Sequence, residues 1–345
     1  MDEWLQANYV VIILSSIYKM VFKFSKYYNY IFPLTVTIIL SFIYSKYKSS
    51  EDDDENMQNY NLVRKYLLND SSLAQSKKPI IWIHMVYDIN ARWWPSFASR
   101  NTDDLNQPYQ YLTLKSIIDK CGEDFNVCLI DDDTFANIIP GWSVDLSLVA
   151  NPVKMKIRQL ALAKILFHYG GFLLPSSFIC FQNLAPLYNT LTENSKMFVG
   201  ELISRTDVSD KVDFFPCTKF MGCQKGSPMM FAYIGYLEIN ASTDFTEESR
   251  FIGANGRWCY ERIQKGDMNM IPADMLGARD TAGKPVTLDV LMSNNFLNLS
   301  DRVQGLYIPA DEILKRTAYQ WFARLSAKQA LETNTTIGKY LLINR

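Results

Sequence analysis

The chain has little histidine, no Cys-x-x-Cys pair and no long block of positive charge. Only 2 histidines occur in 345 residues, and the 6 cysteines are scattered at positions 121, 128, 180, 217, 223 and 259. These absences make a zinc finger or a disulfide-dense scaffold a poor interpretation. With 35 Lys and Arg against 36 Asp and Glu, the chain also lacks the charge of a protein that binds nucleic acid through its phosphates.

What the chain has is apolar and aromatic residues. Hydrophobic residues make up 48% of the sequence and aromatic residues 14%, which excludes a mainly disordered chain. A chain of this length can build one large or two ordinary domains without a disulfide or a metal ion. We therefore expect the thiols to be buried as small hydrophobic groups.

One uncharged run lies close to the N-terminus. Residues 27–44 read YYNYIFPLTVTIILSFIY and are flanked by lysines on both sides. At about 1.5 Å per residue the run nearly crosses a bilayer core, and its terminal tyrosines suit the two membrane interfaces. We predict a transmembrane helix at about residues 27–45, with a buried core helix as the alternative.

A second apolar run, residues 9–18, is short for a membrane span. No small-residue cleavage site follows it and acidic residues precede it, so a signal peptide is disfavoured. We predict an interfacial or re-entrant helix, with a second span as the competitor. Residues 1–48 are thus a membrane anchor, 49–78 an acidic polar stalk and 79–345 a folded domain. The predicted partner of this anchor is the lipid bilayer.

The pattern from residue 79 onward is that of an α/β domain. Apolar runs at 80–84 and 125–130 predict strands, and the segment 107–121 between them predicts a helix. A longer helix is predicted over 153–171, where Gly170-Gly171 gives a stop signal. Further predicted elements are a strand or strand–turn–strand at 172–181, a strand at 197–199, and helices at 228–237, 247–265 and from Pro309 through Glu332.

Three aspartates, Asp131, Asp132 and Asp133, follow the second predicted strand. Ligand crevices of α/β sheets lie at such strand ends, so one interpretation is a nucleotide or cation contact. The other is a turn in which the last aspartate or Thr134 caps the next helix. Arg158 could likewise contact a diphosphate or pair with an acid at the sheet edge.

A tryptophan pair, Trp93 and Trp94, lies in the loop after the first predicted strand. These side chains could stack on a nucleobase, or they could be partly buried loop aromatics. We keep both as candidate ligand contacts.

The order of these motifs resembles the glycosyltransferases of capsular polysaccharide synthesis. The resemblance rests on IIWIH, FNVCLIDDD, the helix with Arg158 and HYGGFLLPSSFIC, and it covers residues 79–200. Segments 257–262 and 315–332 are similar to a divergent branch of that family in large DNA viruses. The resemblance implies a GT-A-like, Rossmann-type domain with a mixed sheet flanked by helices, a nucleotide-sugar donor and a glycan acceptor. The candidate contacts that it implies for the nucleotide sugar are Asp131, Asp132, Asp133, Arg158, Trp93 and Trp94. Its viral branch implies a host internal membrane or a virion membrane as the location.

The chain departs from the family where a divalent cation would bind. In the family, aspartates after the Gly-Gly strand hold the cation that bridges the nucleotide diphosphate. Placing Gly170-Gly171 on the family's pair puts Pro175 at the first aspartate, with Ser176 and Ser177 behind it, and Met155 replaces an upstream acid. We therefore expect no metal cofactor, unless the aspartate triplet binds Mn²⁺ or Mg²⁺.

Two functional hypotheses follow from this departure. One is a membrane-anchored transferase that moves a sugar from a nucleotide donor without a metal ion. The other is a non-catalytic pseudoenzyme, a structural or membrane-tethering virion protein whose partners are viral structural proteins. Pro175 favours the second hypothesis because a proline side chain supplies neither a ligand nor a general base, whereas the aspartates and Arg158 favour the first.

The anchor gives a direct test. Deleting residues 1–48 should move the remaining chain into the supernatant of an alkaline carbonate extraction, because the uncharged run at 27–44 is removed. The full chain, extracted in parallel, should stay in the membrane pellet. A truncated chain that also stays in the pellet would show that a second membrane attachment lies downstream.

Overall fold

The computed structural model describes residues 78–86, 107–202, 214–243 and 253–344. All of them fall within one unit of the chain, Leu62–Arg345. The predicted anchor and nearly all of the predicted stalk lie outside these residues. No helix in the described part of the chain is long and apolar enough to cross a membrane.

Eight strands form two sheets in the described ranges. The main sheet has the order β2-β1-β3-β6-β5-β7, and β4 and β8 form a separate antiparallel pair. The strands are β1 (Ile80–His84), β2 (Asn126–Ile130), β3 (Gly171–Pro175), β4 (Phe178–Cys180), β5 (Met197–Glu201), β6 (Pro216–Cys223), β7 (Met268–Ile271) and β8 (Gly305–Tyr307).

The main sheet is mixed, and one strand accounts for the mixture. β1 is parallel to β2 and β3, and β5 is parallel to β7, whereas β6 runs antiparallel to both β3 and β5. The carboxyl ends of five strands therefore share one edge of the sheet with the amino end of β6. We call this edge the carboxyl edge.

Helices cover both faces of this sheet. The described helices are α1 (Gln110–Cys121), α2 (Phe135–Ile138), α3 (Val153–Tyr169), α4 (Ala185–Leu191), α5 (Pro228–Thr243), α6 (Gly253–Gln264), α7 (Leu288–Leu291), α8 (Ala310–Lys315), α9 (Ala327–Glu332) and α10 (Thr336–Ile343). Side chains of α3, α5 and α6 pack on one face, and those of α1 and α4 pack on the other. A third apolar cluster joins β8 to the helices that follow it. The predicted α/β class, with a mixed sheet flanked by helices, is confirmed.

Burial on both faces explains the first strand. Ile80 and Trp82 belong to the core under α3, while Ile81 and Ile83 belong to the core under α1. Alternate side chains of a strand point to opposite faces, so a strand covered on both sides reads as one apolar run. This is the pattern from which the strand was predicted.

The predicted helix from Pro309 through Glu332 is wrong. The segment contains α8, a 3-10 turn at Phe322–Arg324 and α9. α8 ends because Arg316 takes an extended conformation (φ −94°, ψ 108°). A new helix begins at Ser326, whose side chain accepts from the Gln329 backbone while the Gln329 side chain accepts from the Ser326 backbone. This capping box is a start signal inside the predicted helix.

The Gly170-Gly171 pair joins α3 to β3 as predicted. Gly170 has φ 72° and Gly171 has φ 109°, conformations that residues with a Cβ rarely adopt. A Cβ on Gly171 would collide with the carbonyl oxygen of Ile80 on the neighbouring strand. The indole of Trp82 also donates to the Gly170 carbonyl at 2.9 Å. Close approach of β3 to β1 therefore requires glycine at position 171.

Replacing this glycine should be costly. Gly171→Ala should lower the free energy of unfolding by about 3 kcal/mol or more, because the added methyl meets fixed backbone. Gly283→Ala is the matched control, since Gly283 also has a positive φ (76°) but nothing lies within 4 Å of the position that its Cβ would take. It should cost only about 1 kcal/mol. Equal losses in urea titrations of the full chain would contradict the steric explanation.

Candidate functional site

Three side chains meet at the carboxyl edge. His84 ends β1, Asp132 follows the end of β2, and Arg158 projects from α3. One Asp132 oxygen accepts from His84 Nε2 at 2.9 Å and from Arg158 Nε at 2.8 Å, and the other accepts from Arg158 Nη2 at 2.6 Å. Because a carboxylate only accepts hydrogen bonds, His84 Nε2 carries a proton here. We call this group the His84–Asp132–Arg158 cluster.

The cluster fixes the charge of its carboxylate. Burial favours the neutral acid, but the hydrogen bonds from His84 and Arg158, together with the positive charge of Arg158, outweigh it and hold the pKa of Asp132 well below its usual range. Asp132 is therefore ionised at neutral pH, and both of its oxygens are engaged. A divalent cation at Asp132 would have to displace the arginine, so the residue fits an ion-pair anchor better than a metal ligand.

The other two aspartates of the triplet have different surroundings. Asp131 Oδ1 accepts from the Thr134 backbone N–H at 2.9 Å and from the Thr134 hydroxyl at 2.5 Å. The turn before α2 is thus held by Asp131, and not by Asp133 or a side-chain cap from Thr134. Asp133 is exposed and has no hydrogen-bond partner among the described residues. Asp133 is thus the most exposed residue of the triplet, since Asp131 and Asp132 are partly buried.

The turn after β3 has no carboxylate and is used to hold neighbouring elements together. Pro175 ends β3, Ser176 Oγ donates to the Gln110 side chain of α1 at 2.9 Å, and Ser177 Oγ donates to the Ile308 carbonyl at 2.7 Å. The backbone N–H of Ile308 donates back to Ser177 O at 3.0 Å. Both serines therefore have structural partners, and the turn offers a divalent cation none of the acidic oxygens it prefers.

Two further observations bear on a metal ion. Met155, where the resemblance implies an acid, is 62% exposed on the first turn of α3. Within the described ranges, no group of three or more His, Cys, Asp or Glu side chains is arranged to hold a metal ion. At the positions where the resemblance implies acids, the side chains present thus do not fit a divalent cation.

A lysine that the sequence did not single out lies near the same turn. Lys219 Nζ donates to the Tyr307 hydroxyl at 3.1 Å and to Asp311 at 2.5 Å. Tyr307 pairs in the β4–β8 sheet with Phe178, the residue directly after Ser177. The register of β6 against β5 shifts beside Gly200, and bulges of this kind re-aim side chains at sheet edges.

The Lys219 ammonium is charged and reachable. Desolvation works against the charged form, but the neighbouring Tyr307 and Asp311 outweigh it and raise the pKa of Lys219 above its usual value. The side chain remains 44% exposed. Nothing in the sequence pointed to this group, because a single lysine in a strand is not a motif and its partners are 88 and 92 residues away.

A polar network adjoins Arg158 on α3. Gln159 Nε2 donates to Thr218 Oγ1 at 2.7 Å and to the Tyr233 hydroxyl at 2.9 Å, and Asn255 Nδ2 donates to Gln159 Oε1 at 2.6 Å. The network joins α3 to β6, α5 and α6. The other amide atom of Asn255, its Oδ1, is buried without a partner among the described residues. The network can therefore accept one more donor from water or a ligand.

The structure thus unites two of the predicted site residues, Asp132 and Arg158, and adds His84 to them. It gives Asp131 a turn-forming role and leaves Asp133 in solvent. Trp93 and Trp94 lie outside the described residues.

His84 was missed because it is 48 residues from Asp132 in the sequence, and only the pairing of β1 with β2 brings the two together.

Comparison with known proteins identifies no family. No protein-family model matches the chain, and no curated protein sequence matches it significantly.

The cluster makes a pH-dependent contribution to stability. Asp132→Asn should lower the free energy of unfolding by about 2 kcal/mol near neutral pH, because Arg158 and His84 lose their carboxylate. The folded-state pKa of Asp132 is depressed, so the unfolded chain takes up a proton first as the pH falls. The difference from wild type should be constant above about pH 5 and shrink as the pH falls below about 4.

Asp133→Asn is the matched control from the same triplet. Since Asp133 is exposed, its replacement should change stability by no more than about 0.5 kcal/mol at any pH. Urea titrations of the full-length variants across this pH range measure both effects. Equal behaviour of the two variants would contradict the assigned role of Asp132.

Proposed function

We propose that the chain is a membrane-anchored, glycosyltransferase-like protein that binds a nucleotide sugar at the carboxyl edge without a divalent cation. The observation that carries the proposal is the Lys219 ammonium, fixed by Tyr307 and Asp311 beside the turn Pro175–Ser177. In the family that the sequence resembles, this turn holds the cation that neutralises the diphosphate. Here a lysine supplies positive charge in the same region.

The topology supports a ligand site at this edge. The chain runs from β1 to β2 on one side and later to β3 on the other side of β1, so β1 lies at a topological switch point. Open α/β sheets bind ligands outside the carboxyl ends of their strands at such a point. His84 ends the strand in question. A mixed sheet in which only β6 is reversed is also compatible with the GT-A-like arrangement that the resemblance implies.

Arg158 is a second cationic group at the carboxyl edge and also supports the proposal. Its Nε and Nη2 are held by Asp132, while its Nη1 makes no hydrogen bond to any residue the structure describes. The bidentate pair orients the guanidinium, and the side chain is 20% exposed. A planar donor held in this way suits a phosphate oxygen. The sequence left two roles open for Arg158. Its pairing with an acid is observed at Asp132, and we propose that it also contacts a diphosphate.

One observation favours the second candidate function, a non-catalytic structural or membrane-tethering protein. Asp131, Asp132, Ser176 and Ser177 all form hydrogen bonds within the domain. A fold that has turned its acidic and hydroxyl groups to internal contacts needs no substrate to satisfy them. Its partners would be the membrane and, on the viral resemblance, other structural proteins of a virion.

Calorimetric titration of the full chain with UDP and GDP distinguishes the two candidate functions. We expect binding in EDTA with an affinity that Mn²⁺ changes less than about twofold, since fixed cations replace the metal. Lys219→Ala should weaken binding about 10-fold or more, the loss expected for a charge-assisted hydrogen bond. Lys196→Ala is the matched control, because Lys196 precedes β5 at the opposite edge and donates to the Gly266 carbonyl.

Three other outcomes of the titration would each contradict a different part of the proposal. Binding that requires Mn²⁺ would contradict the metal-independent site while keeping the glycosyltransferase-like function. Absence of binding to either nucleotide, with circular dichroism unchanged, would favour the structural protein. Equal losses in the two lysine variants would remove Lys219 from the site.

A further inference from the structure

We infer that Cys121 and Cys180 form a site of oxidative modification, at which an intramolecular disulfide joins α1 to β4. Their sulfur atoms lie 3.7 Å apart, and the two residues are 59 positions apart in the sequence. Both side chains are fully buried. Among the described residues, no other two cysteine sulfurs lie within hydrogen-bonding distance of each other. The inference is independent of the proposed function.

The backbone around the pair is held in place by hydrogen bonds. The Cys180 N–H donates to Ser116 Oγ of α1 at 2.9 Å. Closer to the start of α1, Thr113 Oγ1 donates to the Ser176 carbonyl, and Ser176 Oγ donates to Gln110 at 2.9 Å. Three polar residues at three-residue spacing thus fasten one face of α1 to the segment that contains β4. The thiols are kept near each other by this row of contacts, and their proximity does not depend on their own interaction.

The remaining geometric change is small. A disulfide has an S–S distance of about 2.05 Å, so the sulfurs must approach by about 1.7 Å from their separation of 3.7 Å. Rotation about the Cα–Cβ bonds moves a sulfur by a distance of this order. Cys121 is the last residue of α1 and is followed by the exposed residues Glu123 and Asp124, so opening of one helical turn gives an oxidant access.

Glutathione disulfide can serve as the oxidant. The Cys121 thiolate attacks one sulfur of glutathione disulfide, which releases one glutathione thiolate and leaves a mixed disulfide on Cys121. The Cys180 thiolate then attacks the Cys121 sulfur and releases the second glutathione. Two protein thiols are oxidised, one glutathione disulfide is reduced to two thiols, and the two protons pass to the released thiolates. The hydrogen bond with Cys180, against the opposing effect of burial, lowers the pKa of Cys121, whereas the same hydrogen bond and burial raise the pKa of Cys180. Cys121 is therefore the thiol that attacks first, and the Cys180 thiol gives its proton to the released glutathione thiolate before the second attack.

The cross-link would close a loop that carries part of the candidate site. The loop between the two cysteines contains β2, α3 and β3, and with them Asp132 and Arg158. A disulfide restricts the unfolded chain and so favours the folded one. Because stable disulfides form mainly in oxidising compartments, the redox state of this pair also reports on the compartment in which the domain lies.

The test uses the full chain in a nonionic detergent, refolded in a reduced and oxidised glutathione buffer and then alkylated after denaturation. We expect alkylation of four of the six cysteines, because one disulfide removes two thiols, and a linked peptide pair containing Cys121 and Cys180. The melting temperature should fall by roughly 5 °C when dithiothreitol is added. Cys121→Ala and Cys180→Ala should abolish the linked peptide and this shift.

Two other buried cysteines provide matched controls. Cys128→Ala and Cys223→Ala should keep both the linked peptide and the dithiothreitol-sensitive melting temperature, since neither sulfur contacts another thiol in the described structure. Alkylation of all six cysteines in the folded wild-type chain would overturn the inference. So would a linked peptide from another cysteine pair, or a cross-linked chain that melts below the reduced one. Should the alanine variants fail to fold, peptide mapping of wild type alone still decides.

Discussion

The carboxylate of Asp132 is the interaction on which the carboxyl edge depends. It binds the last residue of β1 and a side chain of α3, and it is itself carried by the segment after β2, so a single group connects three elements. Taking an aspartate this far out of water is unfavourable by itself. The cost is offset because both oxygens receive hydrogen bonds from cationic or ring N–H groups and because Arg158 binds with two nitrogens. Removal of either partner would therefore affect the position of all three elements.

The same principle of local charge pairing applies to the second cation of the edge. Lys219 is held by Asp311 and Tyr307, as Arg158 is held by Asp132. Each cation is thus paired with a carboxylate that fixes its position, and neither is left as an unpaired charge. On the proposed function, a diphosphate would gain less from each paired cation than from an unpaired one. The entropy cost of orienting the two side chains would, however, be lower, because their partners already hold them.

Strong local patterns in the sequence predicted part of the fold and little of the site. β1, β2 and α3 were predictable because burial on both faces, or a helical apolar stripe ending at Gly170-Gly171, leaves a continuous local signal. β6 reads PCTKFMGC and was not predicted, since its register shift interrupts the alternation that identifies a strand. The break between α8 and α9 was missed although Ser326 and Gln329 carry a capping-box signal, because the apolar residues on both sides suggested one helix.

The candidate site was harder to predict because its groups are joined only by tertiary structure. Asp132 and Arg158 were identified one by one, but their pairing, and that of His84 with Asp132, depends on the parallel register of β1 with β2 and on the packing of α3. The partners of Ser176 and Ser177 were equally hard to predict. Their hydroxyls bind α1 and the segment after β8, and these partners lie 66 and 131 residues away. An ionised carboxylate at either position could not donate the hydrogen bond that the serine hydroxyl makes, so the structural role of this turn depends on serine.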